Sequence, residues 1–89
     1  MRSLATPEFW KNYANLPPNI KLSAQAAYRI WQHNPRHPSL RFKKVGELWS
    51  VRIGKGNRAL ALLEGDTYFW FWIGSHNEYE RLLADHRDI

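Results

Sequence analysis

The sequence predicts an α+β domain: an N-terminal helical hairpin packed on a small antiparallel sheet of three to four strands, followed by a C-terminal helix. Three observations predict it. Apolar residues recur at helical spacing as far as about residue 33, the period drops to two after Pro38, and a Ser75–Glu78 capping pair reopens a helical pattern near the end. Helices followed by consecutive strands indicate segregated layers rather than an alternating parallel sheet.

Thr6-Pro7-Glu8 is a helix start, with a side-chain cap, proline at the first helical position and an acid in the first turn. Phe9, Tyr13 and Leu16 form its apolar stripe, and Pro17-Pro18 ends it. Asn19 can cap a second helix, in which Ile20, Ala24, Ala27 and Trp31 share a face until Asn34-Pro35 stops it. Leu40 and Phe42 then alternate with Arg41 and Lys43 as a first strand. Trp49, Val51 and Ile53 alternate with Leu48, Ser50 and Arg52 as a second. Gly54-Lys55-Gly56-Asn57 is a turn, Arg58 to Glu64 a third strand, and Gly65-Asp66 suits a two-residue hairpin with glycine first. Tyr68 to Ile73 is apolar on both faces, as in a central strand. Strict alternation assigns Phe69, Phe71 and Ile73 to the core and leaves Tyr68, Trp70 and Trp72 as core or as a groove for a partner helix. The last helix carries Tyr79, Leu82 and Leu83 on its apolar edge and the acids Glu78, Glu80, Asp85 and Asp88. Arg2 to Ala5 is a possible extra strand.

Residues 1–89 suit one domain and are too few for two. A chain this short has a thin core, for which five Trp, four Tyr and four Phe compensate with large buried rings. The absence of cysteine removes disulfides and thiolate metal sites, and four histidines without ligand spacing offer no metal site; no metal and no cofactor are expected. No apolar run reaches the length of a membrane span and the N-terminus lacks a signal-peptide core, so a cytoplasmic location away from any membrane is expected.

The formal net charge is +5. Seven basic residues lie between Arg36 and Arg58, with Glu47 as the only acid, a distribution that suits a phosphate backbone, an acidic protein partner or simply a solvated face. Arg41, Lys43, Lys44 and Lys55 are the candidate nucleic-acid contacts. In a strand Lys43 and Lys44 point to opposite faces, and Lys43 shares parity with Arg41. Arg52 and Arg58 flank a short turn, where their forks can grip phosphate oxygens or, as readily, pair with Glu47 or Glu64. His76 falls in the first turn of a helix, whose field favours an anion and a neutral imidazole, so it is the candidate general base. Tyr79, one turn on, either orients a substrate or packs the helix on the sheet.

The ordered series Leu16-Pro17, Asn34-Pro35, His37-Pro38-Ser39-Leu40, Arg41-Phe42-Lys43-Lys44-Val45, Trp49-Ser50-Val51-Arg52-Ile53-Gly54, Asn57-Arg58-Ala59-Leu60 and Trp70-Phe71-Trp72-Ile73-Gly74-Ser75-His76 resembles the RelE/ParE toxin superfamily, in particular its short members ending in WIGSH-x-x-Y. The resemblance spans Phe9 to Leu83. It implies a toxin of a type II toxin–antitoxin system, held by a cognate antitoxin in a hetero-oligomer. RelE-like members cut messenger RNA on the ribosome, whereas ParE-like members poison DNA gyrase. Many relatives place an aromatic residue where this chain has Asn57, a change in turn packing beside Arg58. Three expectations follow: a metal-independent endoribonuclease using Arg52, Arg58, His76, Lys43 and Tyr79; a gyrase inhibitor; or an inactive module that binds antitoxin.

Overall fold

The computed structural model describes residues 1–87, without the side chains of His86 and Arg87; Asp88 lies outside the described residues. The element order is β1 (Arg2–Ala5), α1 (Pro7–Ala14), α2 (Pro18–His33), a 3₁₀ turn (Pro38–Leu40), β2 (Lys43–Val45), β3 (Leu48–Ile53), β4 (Asn57–Glu64), β5 (Thr67–Ser75) and α3 (His76–Arg87). One five-stranded sheet has the order β1-β5-β4-β3-β2. The predicted class holds, with one strand more than the three to four expected. The N-terminal segment is a strand, and it runs parallel to β5, with Ser3 opposite Tyr68 and Leu4 opposite Phe69. The Trp70 indole N–H donates to Ser3 Oγ at 2.9 Å and helps hold it there.

The caps formed as their side chains dictate. Thr6 Oγ1 accepts from the Phe9 amide, and Ser75 and Glu78 cap each other reciprocally at the start of α3. Asn19 does not cap α2. That helix already begins at Pro18, whose fixed φ and missing N–H suit a first helical position. Gly65 supplies the positive φ of +61° required by the β4–β5 hairpin, and Gly46, at +62°, does the same for a Gly46-Glu47 hairpin between β2 and β3.

Two expectations are corrected. Leu40 and Phe42 do not belong to one strand. His37 caps a 3₁₀ turn by accepting from the Ser39 amide, and Arg41 closes that turn with φ +43°, so the shared parity of Arg41 and Lys43 has no meaning. The alternation of β5 also breaks. The β4–β5 register shifts between Leu60 and Ala61, where Trp72 pairs with Leu60 and Trp70 with Ala61, leaving Phe71 as the extra residue of a bulge. Tyr68 and Trp70 therefore join Ile73 in the main core beneath α1 and α2, while Phe71 and Trp72 pack on the α3 side.

The sheet is covered on both faces. On one, Trp31 of α2 is the hub, edge-on to Tyr68 and Trp70 at 5.3 Å each and to Phe42 at 5.9 Å. An apolar cavity of about 350 Å³, with Trp10 and Tyr28 among its lining residues, stays open between the hairpin and the sheet. On the other face Tyr79 and Leu83 of α3 cover Leu48 and Leu60. That second face positions the polar site.

Candidate phosphate-binding site

Strand parity sends Leu48, Ser50 and Arg52 to the α3 side of β3 and Val51 and Ile53 to the hairpin side. Register then places Arg58 of β4 directly opposite Arg52. On its other flank Arg58 faces Gly74 of β5, which has no side chain to cover it. Gly74 also lets the Trp72 ring pack close: a Cβ there would sit 2.6 Å from Trp72 Cζ2 and 3.2 Å from Glu78 Oε1. Gly74→Ala is expected to displace that ring and destabilise the fold by about 1–3 kcal/mol, the usual cost of overpacking, measurable by urea denaturation. Unchanged stability would contradict the close packing of Trp72.

The start of α3 is stitched to the β3–β4 turn. The His76 amide donates to Gly56 O at 2.8 Å, and Asn57 Nδ2 donates to Gly74 O at 3.2 Å. The amide of Asn57 thus does bridging work that an aromatic side chain could not, and it brings the helix start beside the two arginines. Arg58 Cζ stands 5.8 Å from the centroid of the Tyr79 ring, and its NH1 donates to Asn57 O. Arg52 Nε donates to Gly54 O at 2.8 Å. Among the described residues neither arginine has an ion-pair partner, so the alternative of a pairing with Glu47 or Glu64 is not what forms. Burial lowers the Arg58 pKa from its ordinary value, the Arg52 charge lowers it further and Arg41 adds to the effect, while Tyr79 and Glu80 oppose it. Guanidinium remains charged at any physiological pH, so the shift expresses first the burial of that charge and then its crowding by Arg52, both of which an arriving anion would offset.

His76 and Tyr79 are neighbours, with ring centroids 5.9 Å apart. Tyr79 is only 4% exposed and lies under Arg58. His76 Nε2 is 3.3 Å from Glu80 Oε1, with side chains 43% and 58% exposed, whereas His76 Nδ1 is shielded from solvent and has no hydrogen-bond partner.

Of the residues singled out from sequence, Arg52, Arg58, His76 and Tyr79 meet in one place, with Arg41 close enough to act on Arg58 electrostatically. Lys43 is opposite Ser50 and so shares their face, exposed on the edge strand; Lys44, opposite Trp49, takes the hairpin side; Lys55 is exposed in the β3–β4 turn. Sequence reasoning missed Glu80, although its spacing of four from His76 on a helix is a readable signal. Among the described residues no group of three or more His, Cys, Asp or Glu could hold a metal ion, and no helix is long and apolar enough to cross a membrane.

A family model described as a ParE-like toxin domain matches residues 18–81. No curated protein sequence matches. Solved structures with the same fold include a chain of the RelB–RelE antitoxin–toxin complex from Methanococcus jannaschii, at 17% identity and TM-score 0.70, over 89% of this chain and 96% of the other. The YoeB/ParE toxin from Agrobacterium tumefaciens matches at 15% identity and TM-score 0.65, over 85% and 99%. The isolated RelE toxin from E. coli matches at 12% and 0.62, over 99% and 98%.

Proposed function

The chain belongs to the ParE-like toxin domain family of the RelE/ParE superfamily, toxins of toxin–antitoxin systems, and from that premise we propose that it is a metal-independent endoribonuclease cutting messenger RNA on the ribosome. The observation that carries this reading is the pairing of Arg52 with Arg58, opposite each other and, among the described residues, without an ion-pair partner, beside a His76–Glu80 pair at a helix start. Cutting RNA requires cations for the charge that develops on phosphorus and a group that moves the 2′-OH proton, held in line. Arg52 and Arg58 supply the first and the His76–Glu80 pair the second. Tyr79 holds Arg58 from beneath, and Lys43, Arg41 and Lys55 extend the positive surface along the RNA backbone.

A cognate antitoxin is the expected partner, in a hetero-oligomer, and the occurrence of RelB–RelE complexes among the structural relatives supports it. Expression without antitoxin, followed by mapping of messenger 5′ ends, is expected to reveal new ends within translated frames. Intact transcripts in growth-arrested cells would contradict the nuclease reading. The ParE-like family match favours a second reading, gyrase inhibition. Loss of gyrase supercoiling on addition of the purified chain would establish that one instead.

A further inference from the structure

Building on the nuclease reading, we infer that Glu80 is the proton acceptor of this site and that His76 is the positioning residue that holds its carboxylate. A general base needs an accessible lone pair, and the imidazole of His76 offers none. Nδ1 is covered from solvent, so a ribose hydroxyl, no smaller than water, does not reach it. Nε2 faces Glu80 Oε1 at 3.3 Å, where a lone pair would meet the lone pairs of a carboxylate and a proton would be shared with them. The proton is therefore assigned to Nε2, the ring nitrogen that faces the carboxylate.

Glu80 has what His76 lacks. Its side chain is 58% exposed, its second oxygen has no partner among the described residues, and the His76 ring it contacts lies 5.9 Å from the Tyr79 ring that carries Arg58. His76 is itself anchored through its backbone amide to Gly56 O, so the donor that orients Glu80 is fixed to the same turn that separates Arg52 from Arg58. In the step this implies, Glu80 takes the proton of the 2′-OH and O2′ forms a bond to phosphorus. The bond from phosphorus to O5′ breaks, O5′ takes a proton from water, and Glu80 returns its proton to water. The products are a 2′,3′-cyclic phosphate and a 5′-OH, with Arg52 and Arg58 balancing the negative charge between them.

The test compares cleavage of ribosome-bound messenger by the purified wild-type chain and by Glu80→Gln, His76→Ala and His76→Gln, each checked for native circular dichroism. Glu80→Gln keeps the contact with His76 but cannot take a proton, and it should lower the rate about 10²–10⁴-fold. His76→Ala should cost about 10²-fold through misplacement of the carboxylate. His76→Gln, which retains an N–H donor, should recover most of that loss. A wild-type rate in Glu80→Gln, or a His76→Gln as inactive as His76→Ala, overturns the inference while cleavage by the wild type preserves the nuclease reading. A wild-type chain that leaves the messenger intact removes both. Nitrogen-15 NMR adds a readout independent of activity: a proton on Nε2 of neutral His76 is expected, and a proton on Nδ1 instead overturns the assignment.

Discussion

Arg58→Ala is expected to reduce messenger cleavage about 10²–10³-fold, the cost of removing one preorganised partner of the transition-state charge. The guanidinium is held in advance, over the Tyr79 ring on one side and on the Asn57 carbonyl on the other, so little ordering is left for the moment of reaction. Arg52 stands directly across from it, and the mutual repulsion of the two charges is relieved when a phosphate lies between them. Arg58→Lys should recover little, because a point charge cannot make two parallel bonds to phosphate oxygens. Arg29→Ala, an exposed arginine of α2 on the far side of the sheet, should leave the rate unchanged. The measurement is the initial rate of cleavage on programmed ribosomes. Equal losses in the Arg58 and Arg29 variants would reduce the arginine pair to general surface charge.

Trp31→Ala is expected to remove about 3–5 kcal/mol of stability, a large part of the about 5–15 kcal/mol that holds a small domain together. The ring is 2% exposed and touches four aromatic neighbours, Tyr28, Phe42, Tyr68 and Trp70, which come from α2, the segment before β2, and β5. Among the described residues no other side chain ties the hairpin to the sheet through as many rings. Trp31→Phe should cost far less. The smaller ring loses contact area, but it also removes an indole N–H that is buried without an acceptor, which is worth about 1–3 kcal/mol to eliminate. Urea denaturation followed by circular dichroism measures both. A Trp31→Phe variant as damaged as Trp31→Ala would mean that the indole N–H has a partner in solution.

The helices were legible because local chemistry defines their ends. Thr6, Ser75 and Glu78 cap through their own side chains, and prolines at 7, 17, 18 and 35 bound α1 and α2. The strands of the central meander were legible from period-two alternation and from the glycine turn at Gly65. What failed was long-range or depended on a single residue. The bulge at Phe71 reverses the parity of half of β5, and no local pattern announces it when every residue from Tyr68 to Ile73 is apolar. The left-handed backbone at Arg41 came from a 3₁₀ turn whose cap is a histidine, an unusual capping residue. The parallel pairing of β1 with β5 joins segments more than 60 residues apart in the chain, beyond the reach of periodicity. Within the site, Arg52 and Arg58 were found because a hairpin places the residues flanking its turn opposite each other. His76 was found because of the capping box. Glu80 was absorbed into the acidic face of α3 and passed over, although the same helix geometry that groups those acids also puts it beside His76.

The most direct test of the whole account is an NMR titration of the isotopically labelled chain with a short, non-cleavable RNA carrying a 2′-deoxy substitution. The account predicts that the largest shifts fall on Arg52, Gly56, Arg58, His76 and Glu80 and fade together as salt is raised. Shifts confined to the hairpin side, around Trp10 and Tyr28 at the apolar cavity, or the absence of any shift at the arginine pair, would contradict it.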